Sequence, residues 1–188
     1  MSRPIIQCHV HVLAGLLPAA LLSLLIPFAG CGLFEANEDS GPAIRTDKRT
    51  YTLSQSGETL TGSFDMTYTN QTGDPTHLVT CNGIFSILLE KLIDGKWVLA
   101  YGSDSPDCLG PIISIEPGRQ HTNSLKVAAF TPSSEYEPKF QVDNISGTYR
   151  LVWPIYERLN PNGYQEESGW GKLLPLEKRV SNTFEISQ

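Results

Sequence analysis

Between Thr59 and Asn70 the chain reads TLTGSFDMTYTN. Leu60, Gly62, Phe64, Met66 and Tyr68 fall on every second position, with small polar residues between them. A repeat of two is incompatible with the 3.6-residue period of a helix and describes a strand with one buried face. A strand this long cannot hide its apolar side alone, so the rest of the chain must supply partner strands and an opposing layer.

The partners are legible. LLEKLIDGKWVLAY carries Asp94-Gly95 between two apolar runs, a strong signal for a tight hairpin, and predicts Leu92 opposite Trp97, Glu90 opposite Leu99 and Leu88 opposite Tyr101. IRTDKRTYTL reads as a first strand with Tyr51 and Leu53 on one face. QTGDPT is a turn, THLVTC a strand, and PIISIEPGRQHTNSLKV two strands around a Pro117-Gly118 turn. GTYRLVWPIYE places Tyr149, Leu151 and Trp153 on one side, and Pro154 predicts a bulge or an edge. KRVSNTFEIS is a last strand with Val180, Phe184 and Ile186. Seven or more short strands with regular turn punctuation predict an all-β, antiparallel β-sandwich over residues 44–188. TPSSEYEPKFQVDNI and RLNPNGYQEESGWGKLLP are the longest irregular segments.

The succession LEKLIDGKWVLAY, IEPGRQ and GTYRLVW resembles the bacterial immunoglobulin-like domains of small exported lipoproteins. That resemblance runs from about Tyr51 to Ile186 and implies an immunoglobulin-like sandwich. It implies no particular activity, since such motifs are structural and the fold hosts many roles.

Ahead of the strands, residues 1–30 hold no acid, a single Arg3 and the apolar stretch VLAGLLPAALLSLLIPFAG. This is the composition of a secretory leader; Pro18 and Pro27 interrupt it, and it is short for a permanent span. Its end, FAGC, resembles the lipobox of bacterial lipoproteins, with Ala29 and Gly30 as the small residues before the modified cysteine. The resemblance implies cleavage before Cys31, acylation of its thiol, and a partner in membrane lipid. Residues 31–43, rich in Gly, Pro and acids, form a spacer. Gly32, in place of Asp, fits sorting to the outer membrane in a Gram-negative host.

After the leader the chain holds 13 bases against 20 acids, which argues against nucleic acid or an anionic membrane surface as the main partner. With Cys8 lost and Cys31 acylated, Cys81 and Cys108 remain as an expected disulfide in an exported domain. Closing that 28-residue loop stabilises by about 3.6 kcal/mol on the chain-entropy model. His77, Cys81, Cys108 and His121 can be written as a zinc set, but close Cys-x-x-Cys spacing is missing, so no metal is expected and both histidines read as surface residues. Asp104 and Asp107 offer too few ligands for calcium. No nucleophile elbow, phosphate loop or metalloprotease motif occurs, and no cofactor or catalytic residue is expected.

Aromatic residues are the feature with binding potential. Tyr156, Tyr164 and Trp170 straddle the long segment before the last strand and are candidate contacts, while Trp153 reads as core. The expected function is a lipid-anchored, non-enzymatic envelope lipoprotein that contacts a protein or peptide. The alternatives are a carbohydrate-binding or adhesion module and a protease inhibitor.

Overall fold

The computed structural model describes residues 41–81, 83–102, 110–165 and 169–188. Cys31 and Cys108, with the leader and spacer expectations for residues 1–40, lie outside them. The described chain is built of strands with one short 3-10 turn, Leu176–Lys178. In order the strands are β1 (Ile44–Thr46), β2 (Thr50–Thr52), β3 (Ser54–Ser56), β4 (Thr59–Thr69) and β5 (Thr76–Cys81). There follow β6 (Ile84–Phe85), β7 (Leu88–Ile93), β8 (Lys96–Gly102), β9 (Ile112–Ile115) and β10 (Gln120–Phe130). The last are β11 (Gly147–Val152), β12 (Ile155–Leu159), β13 (Gly171–Leu173) and β14 (Phe184–Ser187).

One sheet holds β1, β4 and β10, with β3 also on β4; a second runs β2-β14-β11-β7-β8. The pairs are antiparallel except β2 on β14, which is parallel. This division of early and late strands between two sheets is the immunoglobulin arrangement, and a second mark of that fold is present. The buried Tyr149 hydroxyl donates to the Ile145 carbonyl four residues upstream at 2.6 Å, tying the corner that leads into β11. The expected all-β, immunoglobulin-like sandwich is what the chain forms.

The alternation in β4 holds: Leu60, Phe64, Met66 and Tyr68 are buried. Phe64 meets Phe184 of the facing sheet at 5.6 Å between ring centroids and Tyr51 at 4.6 Å. Trp153, with Tyr149 and Leu151, is core as expected.

A third small sheet, β13-β12-β5-β6 with β9 on β5, extends the sandwich at one end. It arises because strands bend out of the two main sheets. β4 and β10 pair up to Thr69 and Gln120, both chains then turn, and pairing resumes as β5 on β9. Asn70, fully buried, staples the bend. Its amide donates to the Asp74 and Ile115 carbonyls at 2.9 and 2.8 Å, and its carbonyl accepts from Thr72. Gly118, at φ 73°, occupies the left-handed position of the Pro117-Gly118 turn. Trp153-Pro154 does the same for β11, which pairs with β7 up to Val152 and continues as β12 against β5 from Ile155. Where a bulge or an edge is expected at Pro154, the chain changes sheet.

Three expectations are corrected. The Asp94-Gly95 turn forms with both residues at positive φ, and Leu92 pairs with Trp97 and Glu90 with Leu99. A bulge at Ala100 then shifts the register, so Tyr101 faces Leu89 and Gly102 faces Leu88. The segment 44–53 is two strands, because Ile44–Thr46 joins one sheet and Thr50–Thr52 crosses to the other. The last strand is confined to Phe184–Ser187; Val180 makes an isolated bridge to Val152 after the 3-10 turn.

Candidate interaction surfaces

The three aromatic residues singled out by sequence sit at the small third sheet. β12 and β13 form a bulged hairpin in which Tyr156 faces Leu173 and Leu159 faces Gly171. Gly171 is required there: a Cβ would come within 2.2 Å of the Arg158 carbonyl oxygen. The connecting arm is tied down by backbone bonds from Asn160 to Trp170 at 2.8 Å and between Gln165 and Gly169 in both directions. Tyr164 and Trp170 meet edge to face at 5.7 Å, and Tyr164 is 45% exposed. Burial raises the Tyr156 phenol pKa, Arg179 opposes the rise and Tyr164 adds to it, so these groups share one electrostatic neighbourhood.

The register across this sheet aligns Ser114, His77, Tyr156 and Leu173 in one outward row. Val79, Ile112 and Ile84 continue the same face, with Ile112 and Ile84 exposed by 47% and 62%. An outward sheet face would ordinarily be polar.

The histidines part company. His77 faces out, and its Nδ1 lies 3.0 Å from Ser114 Oγ with no carboxylate bonded to the ring among the described residues. His121 is corrected from a surface to a core-side residue. Its ring stands 5.5 Å from Phe85 and 6.0 Å from Trp153, and burial lowers its pKa. The two do not converge on one centre, and no group of three or more metal-binding side chains occurs among the described residues. Cys81, half-buried at the end of β5, is not a free thiol.

A second surface was not anticipated. On the outward face of the five-stranded sheet, Arg150 is bonded to Glu90 at 2.6 Å and its guanidinium lies 4.5 Å above the Trp97 ring. Leu92 and Leu99 lie alongside on the hairpin, 38% and 40% exposed. β8 is the terminal strand of this sheet. The sequence signal was present in the 92–97 and 90–99 pairs, which predict one face. It did not reveal that this face points outward, because the inward face carries Lys91. That lysine is buried, donates from Nζ to the Asn144 carbonyl and lies 5.9 Å above the Tyr149 ring. Burial lowers its pKa.

No protein-family model matches the chain, and no curated protein matches it. Among solved structures it is similar to the solution structure of the CARDB domain of a Pyrococcus furiosus protein. The identity is 12%, the match covers 77% of this chain and 91% of that one, and the TM-score is 0.31. The fold assignment rests on the strand order and the tyrosine corner.

Proposed function

We propose that this chain is a lipid-anchored, non-enzymatic lipoprotein of the bacterial cell envelope whose immunoglobulin-like body binds another protein or peptide. The observation that carries the contact role is the cluster of Trp97 under Arg150, with Leu92 and Leu99 exposed beside it. Tryptophan and arginine dominate binding energy at protein interfaces, and a ready-stacked pair loses little freedom on docking. Anchoring draws on the leader and FAGC border, and export draws with it a Cys81–Cys108 disulfide.

The carbohydrate-binding alternative draws on Tyr156, Tyr164 and Trp170. It is the weaker reading, because polar groups at that end are committed to backbone: Asn160 Nδ2 to the Gly169 carbonyl and Arg179 Nε to the Leu174 carbonyl. Sugar recognition needs free donors and acceptors beside the stacking ring.

A photo-crosslinking residue at Leu99 in cells of the source organism tests the contact. A discrete crosslinked protein at position 99, absent with the same probe at Ser63 and weakened by Trp97→Ala, is the expected result. Equal crosslinking at both positions, or none at either, overturns the reading.

A further inference from the structure

The aromatic end of the body has neighbours that a protein-binding or sugar-binding reading leaves unexplained. Leu173 and Leu176 are exposed by 37% and 46%, Leu173 directly beside Tyr156, and Tyr164 touches Trp170. The same segments carry the exposed bases Arg158, Lys172 and Lys178 and the exposed acids Glu157 and Glu177. Leucine side chains with tyrosine and tryptophan rings match the boundary between acyl chains and headgroups.

The way the chain enters the body points to the same end. Nine residues lie between Cys31 and Gly41, a reach of at most about 36 Å over ten Cα steps when fully extended. The Gly41 carbonyl accepts from Gln71 Nε2 at 3.2 Å, and the Ala43 carbonyl from the Thr69 amide at 2.8 Å. The tether therefore roots at the bend between β4 and β5. Thr72, Asp74 and Pro75 of that bend share a depression of about 230 Å³ with Leu174, Pro175 and Lys178. The exposed leucines and the root of the tether lie on neighbouring segments.

We propose that the end formed by Tyr156, Tyr164, Trp170, Leu173 and Leu176 rests on the lipid surface to which Cys31 is anchored. The proposal depends on the lipoprotein reading. The contact holds the body against the bilayer in one orientation and leaves the Trp97–Arg150 surface turned to its partner. Electrostatic attraction is secondary: Lys172 is already paired with Glu157 at 2.9 Å, so the apolar and aromatic groups carry the contact.

The chain contains three tryptophans, of which Trp153 is 1% exposed. In a Trp97→Phe background, Trp170 is therefore the reporter. Full-length protein extracted from membranes is reconstituted into vesicles of phosphatidylethanolamine and phosphatidylglycerol, with or without bromine on the acyl chains near the headgroup. The expected result is that bromine removes about half of the tryptophan emission. The quenching is lost in Trp170→Phe and in Leu173→Asp/Leu176→Asp, with acylation unchanged by mass. Acylated protein with equal emission in both vesicles overturns the proposal and leaves the lipoprotein reading standing. Protein without lipid on Cys31 overturns both.

Discussion

Two outward faces of this molecule differ while the cores beneath them are alike. Along β4 and β10 the outward positions are Thr61, Ser63, Asp65 and Thr67, opposite Ala128, Lys126, Ser124 and Thr122. Thr67 and Thr122 bond each other at 3.1 Å, and Ser124 bonds Asp65. Every polar group there has water or a cross-strand neighbour, and nothing is gained by covering it. On the third sheet the equivalent positions include Ile84, Ile112, Val79, Tyr156 and Leu173, with His77 and Ser114 among them. The inward faces of both are alike: Phe64 and Met66 under one, Leu78 and Ile155 under the other.

The comparison is sharpest if core and surface aromatics are truncated in turn. Trp153→Ala empties the largest fully buried side chain and is expected to cost about 3–5 kcal/mol, read as a lower midpoint in denaturant unfolding. Trp170→Ala is expected to cost less than about 1 kcal/mol in the same assay. A comparable loss at both would mean that the arm is part of the core.

Next in size is the corner on which the main sandwich depends. Tyr149→Phe leaves the Ile145 carbonyl without its buried partner and is expected to cost about 1–3 kcal/mol. Burial pushes that phenol far up, so no loss of stability from its ionisation is expected in the ordinary pH range.

A smaller effect is expected at His121. His121 has its pKa lowered by burial, so the unfolded chain holds that proton more tightly than the folded one. Its contribution to stability is complete above the ordinary value of about 6.5 and is lost as pH falls through the lower folded value. His121→Phe should flatten this part of the stability profile, measured by thermal unfolding between pH 7.5 and pH 4.5. The smallest effect is expected on the polar face, where Thr67→Ala should change stability by less than about 0.5 kcal/mol.

Alternation made the main sheets readable from sequence, since Leu60 to Tyr68 and Tyr149 to Trp153 have only one way to hide their apolar side. The Asp94-Gly95 turn was readable for an equally local reason. What escaped was set by distant contacts. The bulge at Ala100 is not marked by any glycine or proline at that position, and Gln141, far along the chain, donates to the Ala100 carbonyl. Lys91 shares the inward face with Leu89, and the Asn144 carbonyl that accepts from it comes from a distant loop. His121 reads as polar and is core-side because Trp153 and Phe85 arrive from other strands. Of the candidate contacts, Tyr156, Tyr164 and Trp170 were legible because aromatic residues bordered a long irregular segment. Their company of Leu173 and Leu176 needed the register of β12 on β13.

We propose that lipid on one cysteine holds this β body outside the cytosol. Intact-mass measurement of the membrane-bound protein tests it most directly. The predicted result is a chain beginning at Cys31, heavier by its acyl groups and lighter by the two hydrogens of a Cys81–Cys108 disulfide. A chain that keeps its first thirty residues, with Cys31 unmodified, would contradict it.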